Sequence, residues 1–182
     1  VRLHLGCGTK LWEGFTNIDL NEQADVNADI RELPFESEYA DEIHAIHVLE
    51  HFYVWEQLAV LRHWRDILKP NGKLYLEMPC GEETMGLINL ALVQEEPVSH
   101  GLLFALYGDW RTRDPLMQHK WLFFRAMMRS TRVQTLRSPV RAPETFRLEW
   151  MDMGSGSGSG SVELEQLRFH VETEGCTQPL QL

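Results

Sequence analysis

Cysteine is scarce in this sequence, which has only Cys7, Cys80 and Cys176 in 182 residues. The three are far apart, odd in number and without a CxxC spacing, so they indicate neither a disulfide framework nor a thiolate zinc site. This pattern is typical of proteins in a reducing compartment. We therefore expect a cytoplasmic location.

Long apolar runs and an excess of basic charge are also lacking. No stretch reaches the roughly 18 to 20 consecutive apolar residues of a membrane span, and the chain enters a strand pattern without a basic and apolar leader. The 17 Lys and Arg against 27 Asp and Glu give a net charge of −10, which disfavours binding to phosphate backbones. With 43% hydrophobic residues, the sequence predicts a folded protein with neither membrane nor nucleic acid as partner.

A strict Gly-Ser alternation over residues 154–161 divides the chain. Glycine and serine bury no apolar surface, so this segment is predicted to be a flexible linker, and its regularity is typical of an engineered fusion. The prediction is thus a folded domain over 1–153 and an appended peptide over 162–182. Apolar residues alternate in that peptide, which favours an added strand on its own sheet or on a neighbouring chain.

Short strand patterns alternate with helix patterns along the domain. Strands are predicted over 2–6, 15–20, 25–30, 42–48, 73–78, 132–137 and 145–151. Helices are predicted over 55–69, 85–95, 99–107 and 117–130, and the first has apolar residues every three or four positions. This order favours an α/β fold, a doubly wound and mostly parallel sheet with a C-terminal antiparallel hairpin.

Polar and glycine residues follow the first three predicted strands. Gly6-Cys7-Gly8 is a tight turn that lets backbone approach a ligand. A dinucleotide fingerprint would need a glycine at position 11 and an acid about 20 residues on, so a nicotinamide cofactor is disfavoured. Asp19 stands where a carboxylate can accept ribose hydroxyls, and Asp29-Ile30 offers an acceptor and an apolar wall to a purine. Taken singly, each is more typical of an ordinary turn, but together they indicate one ligand across the strand ends.

The segment His47-Val48-Leu49-Glu50-His51 matches the HxxEH pattern of inverted zinc peptidases. In that chemistry the histidines share a helix, with a further ligand from elsewhere in the chain. Here His47 ends an apolar strand pattern, so the two histidines are not expected on one helical face. We therefore predict no metal site from this motif.

Five segments in this order resemble the class I S-adenosylmethionine-dependent methyltransferases. They are LHLGCG at 3–8, NIDL at 17–20, ADIRELPF at 28–35, DEIHAIHVLEHF at 41–52 and LRHWRDILKPNGKLYLEMP at 61–79. The resemblance is to a small subgroup with LPF and HVLEHF signatures and covers residues 1–152. It implies a Rossmann-like sheet, S-adenosylmethionine as cofactor and S-adenosylhomocysteine as product.

The resemblance also implies roles for individual residues. The cofactor residues would be Gly6, Cys7 and Gly8 at the methionine part, Asp19 and Leu20 at the ribose, Asp29 and Ile30 at the adenine, and His47 beside the sulfonium. The methyl acceptor is expected to be a small molecule or a sugar. His51 or His119 could act as its catalytic base, although both are equally typical of structural histidines. Tyr107, Asp109 and Trp121 fall in the region expected to cover the acceptor.

Two departures from that family bear on activity. We expect the domain to lack the helix that usually precedes the first strand, and residues 9–15 are too few for a helical crossover between the first two strands. A catalytically degenerate S-adenosylmethionine-binding module is therefore an alternative. A fusion built to tether the 162–182 peptide is another.

Overall fold

The computed structural model describes the backbone of residues 1–124, 135–137, 145–151 and 169–170, and the side chains of residues 1–124. The predicted linker over 154–161 lies outside the described residues. So does the appended peptide, apart from Phe169 and His170.

Eight strands in the described residues form one sheet. They are β1 (Arg2–Leu5), β2 (Thr16–Asp19), β3 (Val26–Asn27), β4 (Ala40–Ile46), β5 (Leu68–Pro79), β6 (Thr135–Arg137), β7 (Thr145–Met151) and β8 (Phe169–His170). Their order is β3-β2-β1-β4-β5-β7-β6, and β8 pairs with β7. The pairs among β1 to β5 are parallel, whereas β7 is antiparallel to β5, β6 and β8. This is the mostly parallel α/β sheet, with an antiparallel end, that the patterns predicted.

Three α-helices occur in the described residues: α1 (Val54–Ile67), α2 (Gly81–Val93) and α3 (His100–Tyr107). Helix α1 begins at a capping box, in which the Tyr53 backbone N–H donates to Glu56 Oε2 at 2.9 Å. Trp64 and Ile67 of this helix are buried against the sheet. Trp55, the first residue of the predicted helix, was expected on its apolar face. This was wrong, because Trp55 is 73% exposed and stacks on Tyr53.

The core follows from the buried parallel strands. Its fully buried members include Leu3 and Leu5 of β1, Ile18 of β2, Ile43 of β4 and Leu76 of β5. Both faces of such a sheet are covered, so its strands are apolar over most of their length.

No helix connects β1 to β2, as the short spacing predicted. The segment between them instead brings Trp12 over the sheet, where its ring stacks on His4 at 4.0 Å and meets His44 edge to face. Asn17 joins this cluster, because its Oδ1 lies 3.0 Å from His4 Nδ1 and accepts from the Trp12 backbone N–H. An aromatic and amide cluster therefore covers the sheet where a crossover helix would otherwise lie.

The predicted helix over 117–130 is absent from its described part, 117–124. The backbone N–H groups of Lys120 and Trp121 both donate to the Glu50 carbonyl, at 2.7 and 3.2 Å, and that of His119 donates to the Tyr107 carbonyl. Donors used by distant carbonyls cannot form the i to i−4 ladder of a helix. Residues 125–130 lie outside the described residues. In the part of the chain that is described, no helix has the length and apolar character needed to span a membrane.

Candidate functional site

A cavity of about 550 Å³ opens at the carboxyl ends of β1, β2, β3 and β4. Its volume is in the range of small-molecule sites, and it lies where the strand order reverses between β1 and β4, the usual ligand position in open α/β sheets. Seven of the predicted cofactor residues line it: Gly6, Gly8, Asp19, Leu20, Asp29, Ile30 and His47. Cys7 does not, because its side chain is buried.

The glycine turn forms the floor beside β1. The backbone N–H groups of Gly6 and Cys7 both donate to the Ile18 carbonyl, at 2.8 and 3.3 Å. Gly6 and Gly8 have φ values of +64° and +53°, which glycine adopts readily. A Cβ on Gly6 would lie 2.5 Å from Val48 Cγ2, whereas a Cβ on Gly8 would meet nothing within 4 Å. Gly6 therefore serves packing, and Gly8 keeps the pocket open.

Asp19 is held rigidly at the end of β2. Its Oδ2 accepts from the Gly8 backbone N–H at 2.8 Å and its Oδ1 from that of Asn21 at 3.1 Å. The Asn21 side chain donates in turn to the Gly8 carbonyl at 2.6 Å. Each carboxylate oxygen can accept a further hydrogen bond, so Asp19 presents two fixed acceptors to a vicinal diol.

Asp29 has a partner that the sequence reasoning did not single out. Arg31 forks onto both of its oxygens at 2.6 to 3.0 Å, and this hydrogen bonding lowers the pKa of Asp29. Arg31 also pairs with Glu56 of α1 at 3.6 Å. The Asp29 carboxylate is therefore mainly engaged by Arg31, and Ile30 supplies the apolar wall beside it.

His47 leaves β4 with a left-handed φ of +54°. Its Nδ1 lies 3.2 Å from Oε1 of the buried Glu50, and its Nε2 lies 3.7 Å from Glu77 Oε1. Burial acts to lower the pKa of His47, but the hydrogen bond and charge of Glu50, together with the charge of Glu77, outweigh it and raise the pKa. The two carboxylates thus orient the imidazole and favour its protonated form.

The two predicted catalytic histidines are neighbours with different exposure. His51 lines the cavity, with its Nδ1 3.2 Å from the Gln118 carbonyl oxygen. His119 lies behind it, with ring centroids 4.8 Å apart, and does not line the cavity. Burial lowers the pKa of His119. Of the two, only His51 has access to a ligand in the cavity.

None of the predicted acceptor residues lines the cavity. Tyr107 is 59% exposed, Asp109 caps a short helical turn and pairs with Arg111 at 2.7 Å, and Trp121 packs against the core. The wall on that side consists instead of Tyr53, Glu56, Asp114, Leu116, Met117 and Lys120. The Asp114-Pro115 pair is a recognisable helix-start signal, but nothing in the sequence places Asp114 at the same cavity as Tyr53.

Residues 3–76 match the family described as a methyltransferase domain. No curated protein sequence gives a significant match. Among solved structures, a SAM-dependent methyltransferase from Methanosarcina mazei is similar, with a TM-score of 0.57 and 15% identity over 85% of this chain and 92% of that one.

Two other structures align over a shorter region. A SAM-dependent methyltransferase from Archaeoglobus fulgidus has 22% identity and a TM-score of 0.42 over 59% of this chain and 61% of that one. A protein from Pyrococcus horikoshii has 24% identity and a TM-score of 0.40 over 52% of each chain. This chain therefore spans only about half to three fifths of the length of these two proteins.

The Methanosarcina likeness establishes the fold, and the family match covers the chain from the glycine turn to β5. Both agree with the fold that the resemblance noted from the sequence implies. The chain therefore has the fold of S-adenosylmethionine-dependent methyltransferases, and its residues 3–76 match the methyltransferase domain family.

Proposed function

We propose that this protein is an S-adenosylmethionine-dependent methyltransferase that acts on a small-molecule or sugar-type acceptor. The observation that carries the proposal is the single cavity that brings together the glycine turn, Asp19 and Ile30 at the carboxyl ends of three neighbouring strands. The cavity lies at the switch point of a parallel sheet, which is where a nucleoside-containing ligand is expected.

The cavity suggests an orientation for the cofactor. The methionine part would lie along Gly8, where no side chain narrows the pocket. The ribose diol would donate to the two oxygens of Asp19, and the purine would pack on Ile30. This order leaves the sulfonium end near His47, which stands at the end of β4 between the cofactor region and the remaining cavity.

The acceptor would enter the remaining part of the cavity, between His51, Tyr53, Met117 and Lys120. S-adenosylmethionine supplies the electrophilic methyl group when it is bound, so the protein mainly aligns the nucleophile and excludes water. The Nδ1 of His51 must carry hydrogen to donate to the Gln118 carbonyl, which leaves its Nε2 lone pair for a proton or a metal ion. Hydroxyl-bearing small molecules fit a pocket wall that mixes apolar and polar side chains.

Calorimetry tests cofactor binding. We expect S-adenosylmethionine and S-adenosylhomocysteine to bind the native chain, and Asp19→Asn to weaken both by about 10- to 100-fold because charge-assisted hydrogen bonds to the ribose are lost. Asp41→Asn is the matched control, since Asp41 lies at the opposite end of β4 and pairs with Lys69. Unchanged affinity in Asp19→Asn, or no binding of either ligand at millimolar concentration, would contradict the proposal.

Turnover is measured separately as S-adenosylhomocysteine formation with a panel of hydroxylated small molecules and sugars. Product formation that requires both cofactor and acceptor is the expected result. Cofactor binding without turnover on any acceptor would instead favour the degenerate binding module.

A further inference from the structure

One group of ligand-type side chains beside the cavity has no role in the cofactor orientation above. Glu50, His51 and His119 each offer one donor atom, and these atoms lie within 4.8 Å of one another. Glu50 and His51 come from the turn after β4, and His119 comes from the segment after α3.

Glu50 is the most unusual member of the group. Its side chain is 1% exposed, and within the described residues its Oε2 has no hydrogen-bond partner. Its other oxygen faces His47 Nδ1 at 3.2 Å and His119 Nε2 at 4.0 Å. A buried carboxylate oxygen without a partner is costly, so this atom calls for a cation or a donor that the described residues do not supply.

Both histidines are arranged as metal ligands usually are. The Nδ1 of His51 contacts the Gln118 carbonyl at 3.2 Å, and the Nδ1 of His119 contacts the Ala105 carbonyl at 3.0 Å. A carbonyl only accepts, so each Nδ1 carries the hydrogen and each Nε2 keeps its lone pair. Metal-binding histidines commonly show this second hydrogen bond to a carbonyl, which fixes the tautomer and the ring orientation.

The backbone holds the group together across a long sequence separation. The Glu50 carbonyl accepts from the N–H groups of both Lys120 and Trp121, which ties the segment containing His119 to the turn containing Glu50. The histidine that joins Glu50 and His51 is therefore His119, and His47 serves instead as the hydrogen-bond partner of Glu50. The sequence prediction of no metal site rested on His47 and His51, which do not share a helical face. His119 lies outside the HxxEH motif and did not enter that prediction.

We propose that Glu50, His51 and His119 bind a divalent first-row transition ion, with Zn²⁺ as the expected metal. Two imidazole nitrogens and one carboxylate oxygen suit this class of ion, and three protein ligands with an open position are typical of non-structural zinc sites. In a tetrahedral zinc site, bonds of about 2.0 to 2.2 Å place the donor atoms about 3.3 to 3.6 Å apart. Glu50 Oε1 and His119 Nε2 lie 4.0 Å apart and the donor atoms of the three residues all lie within 4.8 Å of one another, so small side-chain adjustments bring the set to bonding distance.

His51 also lines the cavity, so the open position faces the proposed acceptor side. A metal there would bind an acceptor oxygen and lower its pKa, which favours a hydroxyl acceptor. This consequence rests on the proposed function, whereas metal binding by the three side chains does not.

The experiment titrates the chelator-treated protein, residues 1–182, with Zn²⁺ by calorimetry and with Co²⁺ by visible absorption. We expect one bound ion per chain and a d–d absorption spectrum typical of Co²⁺ with a low coordination number. His51→Asn and His119→Asn should each weaken Zn²⁺ binding by more than the roughly 10- to 100-fold that loss of a hydrogen-bond partner of a metal ligand causes. His100→Asn, at the exposed start of α3, is the matched control and should bind as the native chain does.

Either of two results would refute the proposed metal site. One is no stoichiometric binding of either ion, and the other is equal Zn²⁺ affinity in the native, His51→Asn and His100→Asn proteins. His51→Asn keeps the test decisive if the buried His119 variant fails to fold, because His51 is at the cavity surface. S-adenosylmethionine binding is measured on the same samples without added metal. Cofactor binding without metal binding refutes the metal site alone, and metal binding without cofactor binding refutes the proposed function alone.

Discussion

The glycine turn offers the sharpest test of how the sheet builds the cavity. Gly6 and Gly8 have similar positive φ values, +64° and +53°, but different surroundings. A Cβ on Gly6 would meet Val48 Cγ2 at 2.5 Å, whereas one on Gly8 would meet no atom within 4 Å. Val48 is 5% exposed and has little room to move. Replacing each glycine by alanine therefore separates backbone strain from overpacking.

The two alanine variants are expected to lose different amounts of unfolding free energy. A positive φ costs an alanine about 1 to 2 kcal/mol, and this cost applies to both variants. Overpacking at Gly6 adds about 1 to 3 kcal/mol, so Gly6→Ala should lower the free energy of unfolding by about 2 to 5 kcal/mol. Gly8→Ala should lower it by about 1 to 2 kcal/mol, while its methyl group narrows the pocket and weakens cofactor binding.

A double-mutant cycle with Val48→Ala identifies the cause. Removing the two Val48 methyl groups relieves the overlap, so Gly6→Ala combined with Val48→Ala should be less destabilised than the sum of the two single variants, by about 1 kcal/mol or more. Urea unfolding followed by circular dichroism measures each free energy. Additive losses in the cycle, or equal losses in Gly6→Ala and Gly8→Ala, would refute the reasoning.

Two further predictions concern the parts of the fold that flank the cavity. The Asn17 backbone and side-chain N–H groups both donate to Asp25 Oδ2 at 2.8 Å and lower the pKa of Asp25. A folded-state pKa below the unfolded value of about 3.9 stabilises the fold above that pH, and this contribution is lost as the pH falls through the folded-state pKa. The stability difference between native and Asp25→Asn protein, measured from urea midpoints, should therefore shrink below about pH 4. A difference that does not change with pH would contradict this role of the Asp25 carboxylate. Trp64→Phe removes the 2.7 Å bond from Nε1 to the Ile30 carbonyl and should cost about 1 to 3 kcal/mol, with weaker cofactor binding. Trp55→Phe, at an exposed site, should change stability by less than about 0.5 kcal/mol, and equal losses in the two tryptophan variants would contradict this.

Much of the sheet could be predicted because buried parallel strands are short apolar runs bounded by turn residues. β1, β2, β4 and β5 lie within or overlap the predicted ranges, and α1 nearly matches 55–69. The helix prediction over 117–130 was wrong in its described part. Its amides bind carbonyls of Glu50 and Tyr107, and a pattern of side chains carries no information on such distant partners.

The strand-end side of the cavity could be predicted for a related reason. The carboxyl ends of parallel strands meet at one edge of a sheet, so Gly8, Asp19 and Ile30 converge once their strands are recognised. The opposite wall of the cavity could not be predicted. Tyr107, Asp109 and Trp121 were expected there, but turns and long-range hydrogen bonds bring Leu116, Met117 and Lys120 to the wall instead.

The sequence by itself determined the parallel sheet, the glycine turn and the acidic residues at the strand ends, because strand periodicity and turn chemistry are local properties. Only the tertiary structure decided which side chains meet beyond the strands. The pairing of Arg31 with Glu56 and the approach of His119 to Glu50 depend on how distant segments meet at the sheet edge. His51 and Gln118 are 67 residues apart and in contact. Their segments are aligned by the backbone N–H groups of Lys120 and Trp121, which donate to the Glu50 carbonyl. No sequence pattern indicates these bonds, because nearly every residue carries the same backbone groups.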